Sequence, residues 1–115
     1  MAESIPGTLT IDNSVIADLA GYTALECYGV VGMAMPTITD GIAKILPAAR
    51  LRRGIVVENT EDGVKLDLYV IVESGTNISA VSRNLADTVR YTLTSCAALD
   101  IAAINVHVQG IRLRG

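Results

Sequence analysis

The chain of 115 residues is the length of one domain, which buries roughly two thirds of its unfolded surface in a single core. Half of its residues are apolar, yet it has no Phe and no Trp, so Val, Ile, Leu and Ala must build that core. The net charge of −3 disfavours a nucleic acid as the main partner, because surfaces that bind phosphates are normally basic.

The sequence predicts a cytoplasmic protein with no direct membrane insertion. Its apolar runs are shorter than the ~20 residues that a membrane-spanning helix needs, and residues 1–12 lack the basic and apolar regions of a secretory signal. Cys27 and Cys96 form no CxxC motif, which predicts two small buried thiols rather than a redox pair. Both lie near predicted helix C-termini, so they would approach each other if the helices ran parallel.

Along the chain, residues 8–11 (TLTI) predict a first strand, and Asp12 or Asn13 then offers a helix N-cap. The apolar face of the helix that follows comprises Val15, Ile16, Leu19, Ala20, Thr23 and Cys27. Residues 29–35 (GVVGMAM) predict a short buried strand. Residues 36–53 predict a variable connection, in which Asp40 is a candidate cap for a short helix that Pro47 would end.

The strongest local signal is a β-hairpin. Residues 54–59 and 64–74 flank the tetrapeptide TEDG, whose Asp62-Gly63 pair is typical of a hairpin turn. In the second arm, five aliphatic residues alternate with five mostly polar ones, which predicts one buried and one solvated sheet face. The buried set is Val64, Leu66, Leu68, Val70 and Val72.

The last third of the chain predicts a second helix and a final strand. Asn77 caps a helix of about 18 to 20 residues, whose apolar stripe comprises Ile78, Val81, Leu85, Val89, Thr92 and Cys96. In the strand, Ile104, Val106 and Val108 alternate with polar residues. The apolar phase shifts by one after Gly110, which is typical of a β-bulge.

These elements predict a single domain over residues 1–115 of the α+β class. Two helices pack on one face of a mostly antiparallel sheet, in the order β-α-β-(loop)-β-β-α-β.

His107, the only histidine, falls on the polar side of the last strand. A catalytic role needs a carboxylate or nucleophile beside it, which Asp67 or Tyr69 of the hairpin would supply only if the strands pair suitably. A zinc site needs further His or Cys ligands. We therefore predict no catalytic residue, no metal and no cofactor.

Two other motifs have an ordinary structural interpretation. The segment GVVG at 29–32 matches the GxxG loop of KH nucleic-acid-binding domains, but its valines favour a core strand. Arg52 and Arg53 fit a solvated loop or, alternatively, a docking site for an acidic partner or anionic lipid head groups.

The uncovered sheet face is the sequence's best candidate for an interaction surface. It presents Tyr69, Ile71, His107 and Gln109, with Ile111 as a further candidate for the same face, and Ile71 is an apolar residue in a polar pattern. Exposed apolar side chains among polar ones are typical of protein–protein contacts. We predict an interface at these four residues, with Arg52 and Arg53 as further candidates.

The segments LDLYVIVESGTNI (66–78) and INVHVQGI (104–111), in this order, resemble the alkaline shock protein family of bacterial cell-envelope stress proteins. The resemblance covers about residues 7–113. It implies a small cytoplasmic, non-enzymatic protein, mainly of Gram-positive bacteria. Members are linked to envelope stress and homeostasis, some self-associate, and some are held near the membrane by an integral-membrane partner.

The resulting hypothesis is a non-enzymatic scaffold that self-associates as a homo-oligomer and binds a protein partner, including one anchored in the membrane. A second hypothesis is an accessory regulatory subunit of a neighbouring metabolic kinase of the dihydroxyacetone or fatty-acid type. A KH-like nucleic-acid binder is third, and an enzyme is last.

Overall fold

The structure is a computed structural model that describes residues 12–37 and 44–113. Its helices are α1 (Asn13–Leu25) and α2 (Ile78–Ala97), with a 3₁₀ segment at Ala48–Gly54. Its strands are β1 (Val30–Met33), β2 (Ile55–Thr60), β3 (Gly63–Glu73) and β4 (Ile101–Arg112). The predicted strand at 8–11 and the proposed cap Asp40 lie outside the described residues. The predicted α+β class with two helices is confirmed.

β3 is the central strand of the sheet. β4 pairs with it in parallel from Val64 to Glu73, along one edge. β2 pairs antiparallel with residues 63–68 of β3 and β1 with residues 70–72, so these two short strands share the other edge end to end. The parallel β3–β4 pair is joined by α2, since parallel neighbours need a crossover connection.

The helices begin where the sequence predicts. The Asp12 side chain accepts a hydrogen bond from the Ser14 amide at 2.8 Å, and Asn77 accepts one from the Ala80 amide at 3.0 Å. Each side chain satisfies an amide that has no partner within its helix.

The core lies between the helices and one face of the sheet. β3 contributes the five aliphatic residues predicted from alternation, all buried. Small residues on α1 let its backbone approach the 3₁₀ segment closely. A Cβ on Gly21 would lie 3.2 Å from the Cβ of Leu51 in that segment. The buried helix residues include Ile16, Ala17, Ala20 and Ala24 of α1 and Val81, Leu85, Val89 and Leu93 of α2.

Three residues of the predicted apolar helix faces, Val15, Ile78 and Cys96, are exposed. Val15 is exposed, because the outer side of α1 has no covering layer among the described residues. Cys96 is also exposed, and Leu93 occupies the buried position at the end of the α2 stripe. The prediction of two buried thiols therefore holds for Cys27 only.

The helices run antiparallel, which separates the two cysteines. Cys27, just beyond the C-terminus of α1, lies beside Thr88 in the middle of α2. The other end of α1 is at the hairpin end of the sheet, where Asn13 bonds Asn59 at 3.2 Å. Cys96 is eight residues beyond Thr88 on α2, about 12 Å along the axis. Both thiols are free.

The hairpin and the bulge are confirmed within one residue. Thr60 pairs with Gly63, so Glu61 and Asp62 form the turn and Gly63 begins β3 at φ +127°. In β4, Val108 faces Val70 and Gly110 faces Ile71, which makes Gln109 the extra residue of the bulge.

Candidate functional site

The candidate site lies on the sheet face opposite the helices. It combines alternate residues of β3 and β4, because successive side chains of a strand point to opposite faces. In the parallel register Asp67 pairs with Asn105, and Tyr69 pairs with His107. The structure therefore brings Tyr69 and His107 together, as the predicted interface requires.

Asp67 is the centre of this cluster. Its Oδ1 accepts a hydrogen bond from His107 Nε2 at 3.0 Å and one from Asn105 Nδ2 at 3.2 Å. The bond from His107, followed by the bond from Asn105, holds the pKa of Asp67 below its ordinary value against the opposing effect of burial. An ionised carboxylate only accepts hydrogen bonds, so Nε2 carries the proton, and in the neutral ring Nδ1 remains an acceptor.

The imidazole is held from a second side by Tyr69. The two rings stack with centroids 4.5 Å apart and an interplanar angle of 12°. The His107 side chain is nevertheless 42% exposed, whereas that of Asp67 is 19% exposed. We call Asp67, Tyr69, Asn105 and His107 the open-face cluster: an ordered, half-exposed surface that has aromatic area, hydrogen-bond donors and acceptors, and one negative charge.

A carboxylate that orients an imidazole also occurs in enzymes with a general base. Within residues 12–37 and 44–113, however, no hydroxyl or thiol is hydrogen-bonded to His107. The same ranges contain no group of three His, Cys, Asp or Glu side chains placed to hold a metal ion. The arrangement presents a stacked aromatic pair and hydrogen-bonding groups at the surface.

The prediction that Ile71 is exposed is wrong. Its side chain is completely buried, in a small cluster with Ala34 and Val31. The cause is the shared edge of the sheet: β2 begins where β1 ends, so the chain must leave the sheet plane after Ala34. A Cβ on Gly54 would lie 2.8 Å from the Ala34 carbonyl oxygen, which shows how closely the two strands abut.

Gln109 holds the departing chain over the sheet. Its Nε2 donates to the carbonyl oxygens of Met35 and Pro36, each at 3.0 Å. Gln109 belongs to β4 and Met35 follows β1, on opposite sides of β3, so residues 34–36 must cross the outer face above Ile71. We call these three residues the strap. Gln109 is therefore engaged within the chain.

The arginines do not join this surface. The Arg52 guanidinium binds the Asp18 carboxylate of α1 through two hydrogen bonds, of 3.1 and 3.0 Å. Because α1 belongs to the helix layer, Arg52 lies on the side away from the open-face cluster. Arg53 is exposed in the same 3₁₀ segment. The six predicted interface residues therefore do not form one continuous surface.

Sequence reasoning gave too little weight to Asp67 and Asn105. Their positions could have indicated the cluster, because Asp67 is two residues from Tyr69 in β3 and Asn105 is two residues from His107 in β4. Residues two apart in a strand lie on the same sheet face. It also overlooked the exposed tyrosines of the helix side, which are Tyr22, Tyr28 and Tyr91. Tyr28 borders a shallow cleft of about 200 Å³ beside the start of α2, lined by Asn77, Ala80, Val81 and Asn84.

Neither helix in the described part of the chain has both the length and the apolar character to cross a bilayer.

Comparison with known proteins gives matches over almost the whole chain. Residues 1–113 match the model of the alkaline shock protein 23 family, which is described by a cell envelope-related function. The chain is 40% identical over 108 residues to the uncharacterized protein YloU of Bacillus subtilis, covering 93% of this chain and 90% of that protein. It is 36% identical over 110 residues to the uncharacterized protein Spy1614 of Streptococcus pyogenes, covering 95% and 91%. No solved structure gives a significant match.

Proposed function

The chain belongs to the alkaline shock protein 23 family, whose function is related to the cell envelope, and from this premise we propose that it is a non-enzymatic scaffold in the envelope stress response. It self-associates, and its open-face cluster binds a protein partner that is anchored in the membrane. The observation that carries the proposal is the ordered, half-exposed cluster of Asp67, Tyr69, Asn105 and His107 on the sheet face opposite the helices.

Three features of the cluster favour a protein partner. The Tyr69–His107 stack presents aromatic area that is already ordered, so little conformational entropy is lost on binding. Tyrosine is also enriched at protein–protein interfaces. The lowered pKa of Asp67 keeps a negative charge in the cluster, which disfavours direct binding to an anionic lipid surface.

The test is binding of the purified protein to membrane vesicles from its native cell. We expect the wild-type protein to bind intact vesicles but neither protease-treated vesicles nor protein-free lipid. Tyr69→Glu should lose binding, because it removes the stack and places a second carboxylate beside Asp67. Tyr91→Glu is the matched control, since it introduces the same change at an exposed tyrosine of α2.

Equal binding of the wild-type protein to protein-free lipid would contradict a protein partner. An equal loss of vesicle binding in Tyr69→Glu and Tyr91→Glu would contradict the assignment of the partner to the open-face cluster. Self-association is tested separately by light scattering coupled to size exclusion over a wide concentration range. A monomer at every concentration would contradict that part of the proposal.

A further inference from the structure

The two edges of the sheet differ in a way that bears on self-association. One edge is built from β1 and β2, which have four and six residues and are interrupted where the strap leaves the sheet. The other edge is β4, a strand of 12 residues. Within residues 12–37 and 44–113, β4 pairs only with β3. Its other side offers about 40 Å of strand edge.

The middle of β4 lacks the features that normally prevent edge-to-edge pairing. Edge strands are usually short or carry Lys, Pro or other charged residues. From Ile101 to Ile111 the sequence has no Lys, Arg, Asp, Glu or Pro. The Arg90 guanidinium bonds the Ile101 carbonyl at 3.2 Å, and the register of β4 is irregular at Ala102 and at Gln109. These features are near the ends of β4, so among the described residues none protects the edge from Ala103 to Val108.

The hydrophobic core is also incomplete at this edge. Leu66, Leu68 and Val70 of β3 are completely buried. Their neighbours in register on β4 are Ile104, Val106 and Val108, which pack against the same core but are only partly buried. A further strand beside β4 would remove this aliphatic row from water.

We propose that β4 pairs antiparallel with β4 of a second copy, around a two-fold axis normal to the sheet. Such an axis keeps the helix side of one copy next to the helix side of the other, so the aliphatic rows meet. On the opposite face, the polar side chains of Asn105 and His107 meet the same polar row of the second copy, in reversed order. Both side chains form hydrogen bonds, and from Ala103 to Val108 the strand has no carboxylate, ammonium or guanidinium group that would face its like. The strand is therefore complementary to itself.

Pairing at β4 joins two four-stranded sheets into one continuous sheet with all helices on one side. Both open-face clusters then lie on the same surface and remain uncovered. The inference rests on the proposed self-association and specifies its interface, which is a sheet edge, whereas the membrane-anchored partner is assigned to the sheet face; Asn105 and His107 border both.

The test compares Val106→Lys with Val57→Lys by sedimentation equilibrium. Val57 of β2 is the matched control, because it is also a partly buried valine on the helix side, but on the other edge. Val106→Lys should raise the dimer dissociation constant at least about tenfold, since two ammonium groups approach across the axis. Val57→Lys and Tyr69→Glu should leave it unchanged.

A second measurement decides the matter if Val106→Lys fails to fold. Single cysteines are placed in turn at Asn105, Val106 and His107 in a Cys96→Ser background, with Asn59→Cys as the control on β2. Mild oxidation should give a disulfide-linked dimer from at least one β4 position and none from the control.

Cross-linking at none of the three β4 positions, or a wild-type-like dimerisation of folded Val106→Lys, would overturn the β4 interface while leaving self-association intact. A wild-type protein that stays monomeric at all concentrations would overturn both.

Discussion

Replacing Gln109 tests whether its side chain holds the strap over Ile71. The side chain donates two hydrogen bonds of 3.0 Å to the carbonyls of Met35 and Pro36. Gln109→Met keeps the length of the side chain but removes both donors. Gln109→Glu also removes them at neutral pH, and in addition points a carboxylate at two carbonyl oxygens.

The size of the effect follows from the number of bonds lost. Each intramolecular hydrogen bond contributes about 0.5–1.5 kcal/mol net, so Gln109→Met should lower the free energy of unfolding by about 1–3 kcal/mol. At roughly 4 °C per kcal/mol for a domain of this size, Tm should fall by about 4–12 °C. Gln109→Glu should be less stable still, because of the repulsion that it adds.

Thermal and urea unfolding, followed by circular dichroism, measure both variants. Asn84→Asp, at an exposed position of α2, controls for one added negative charge. Hydrogen exchange at the Ala34 amide, which donates to the Tyr69 carbonyl at 2.9 Å, reports on the strap itself. If Gln109→Glu keeps the Tm of the wild type and Ala34 stays protected, then Gln109 does not hold the strap.

Two further predictions concern titration and reactivity. The His107 bond lowers the folded-state pKa of Asp67, so this stabilisation is complete above the unfolded pKa, near 3.9, and is lost as pH falls through the folded pKa. In urea unfolding, Asp67→Asn should therefore be less stable than the wild type at about pH 7 and approach it at about pH 2; an equal difference at both pH values would contradict this. With a thiol reagent, native protein should react at Cys96 alone, since Cys27 is 7% exposed and burial raises its thiol pKa. Two rapidly reacting thiols in the native protein would contradict that burial.

The features that the sequence predicts well are those with a local cause. Alternation in β3 indicates its buried face because the side-chain period of a strand is two residues. The sequence predicts the cap Asn77, and Asp12 or Asn13 as the other cap, because a short polar side chain before an apolar helical pattern satisfies a free amide. The hairpin turn follows from Asp62-Gly63 for the same local reason, within one residue.

The burial of Ile71 was not predictable from its neighbours in sequence. It depends on β1 and β2 sharing one edge of β3, which forces residues 34–36 across the outer face. Val15 and Cys96 have a related explanation. Both residues continue the apolar stripe of their helix, but neither the sheet nor the other helix covers them. How much of a helix is covered depends on tertiary packing, which the local sequence pattern does not contain.

The contact between Asp67 and His107 depends on topology as well. The two residues are 40 positions apart, and only the parallel register of β3 and β4 brings them within hydrogen-bonding distance. The sequence places both on the polar phase of their strands, but it does not determine which strands are neighbours. The crossover through α2 makes them so.

The same crossover links the open-face cluster to the free edge. Because α2 returns the chain to the side of β3 away from β2, β4 becomes the outermost of the described strands on that side, and His107 is carried next to Asp67. The strand after α2 cannot pair with the other edge of β3, because β1 and β2 already occupy that edge. The surface proposed for the partner and the strand proposed for self-association are therefore consequences of one connection. They point in perpendicular directions, one normal to the sheet and one within its plane, so the molecule is able to use both at once.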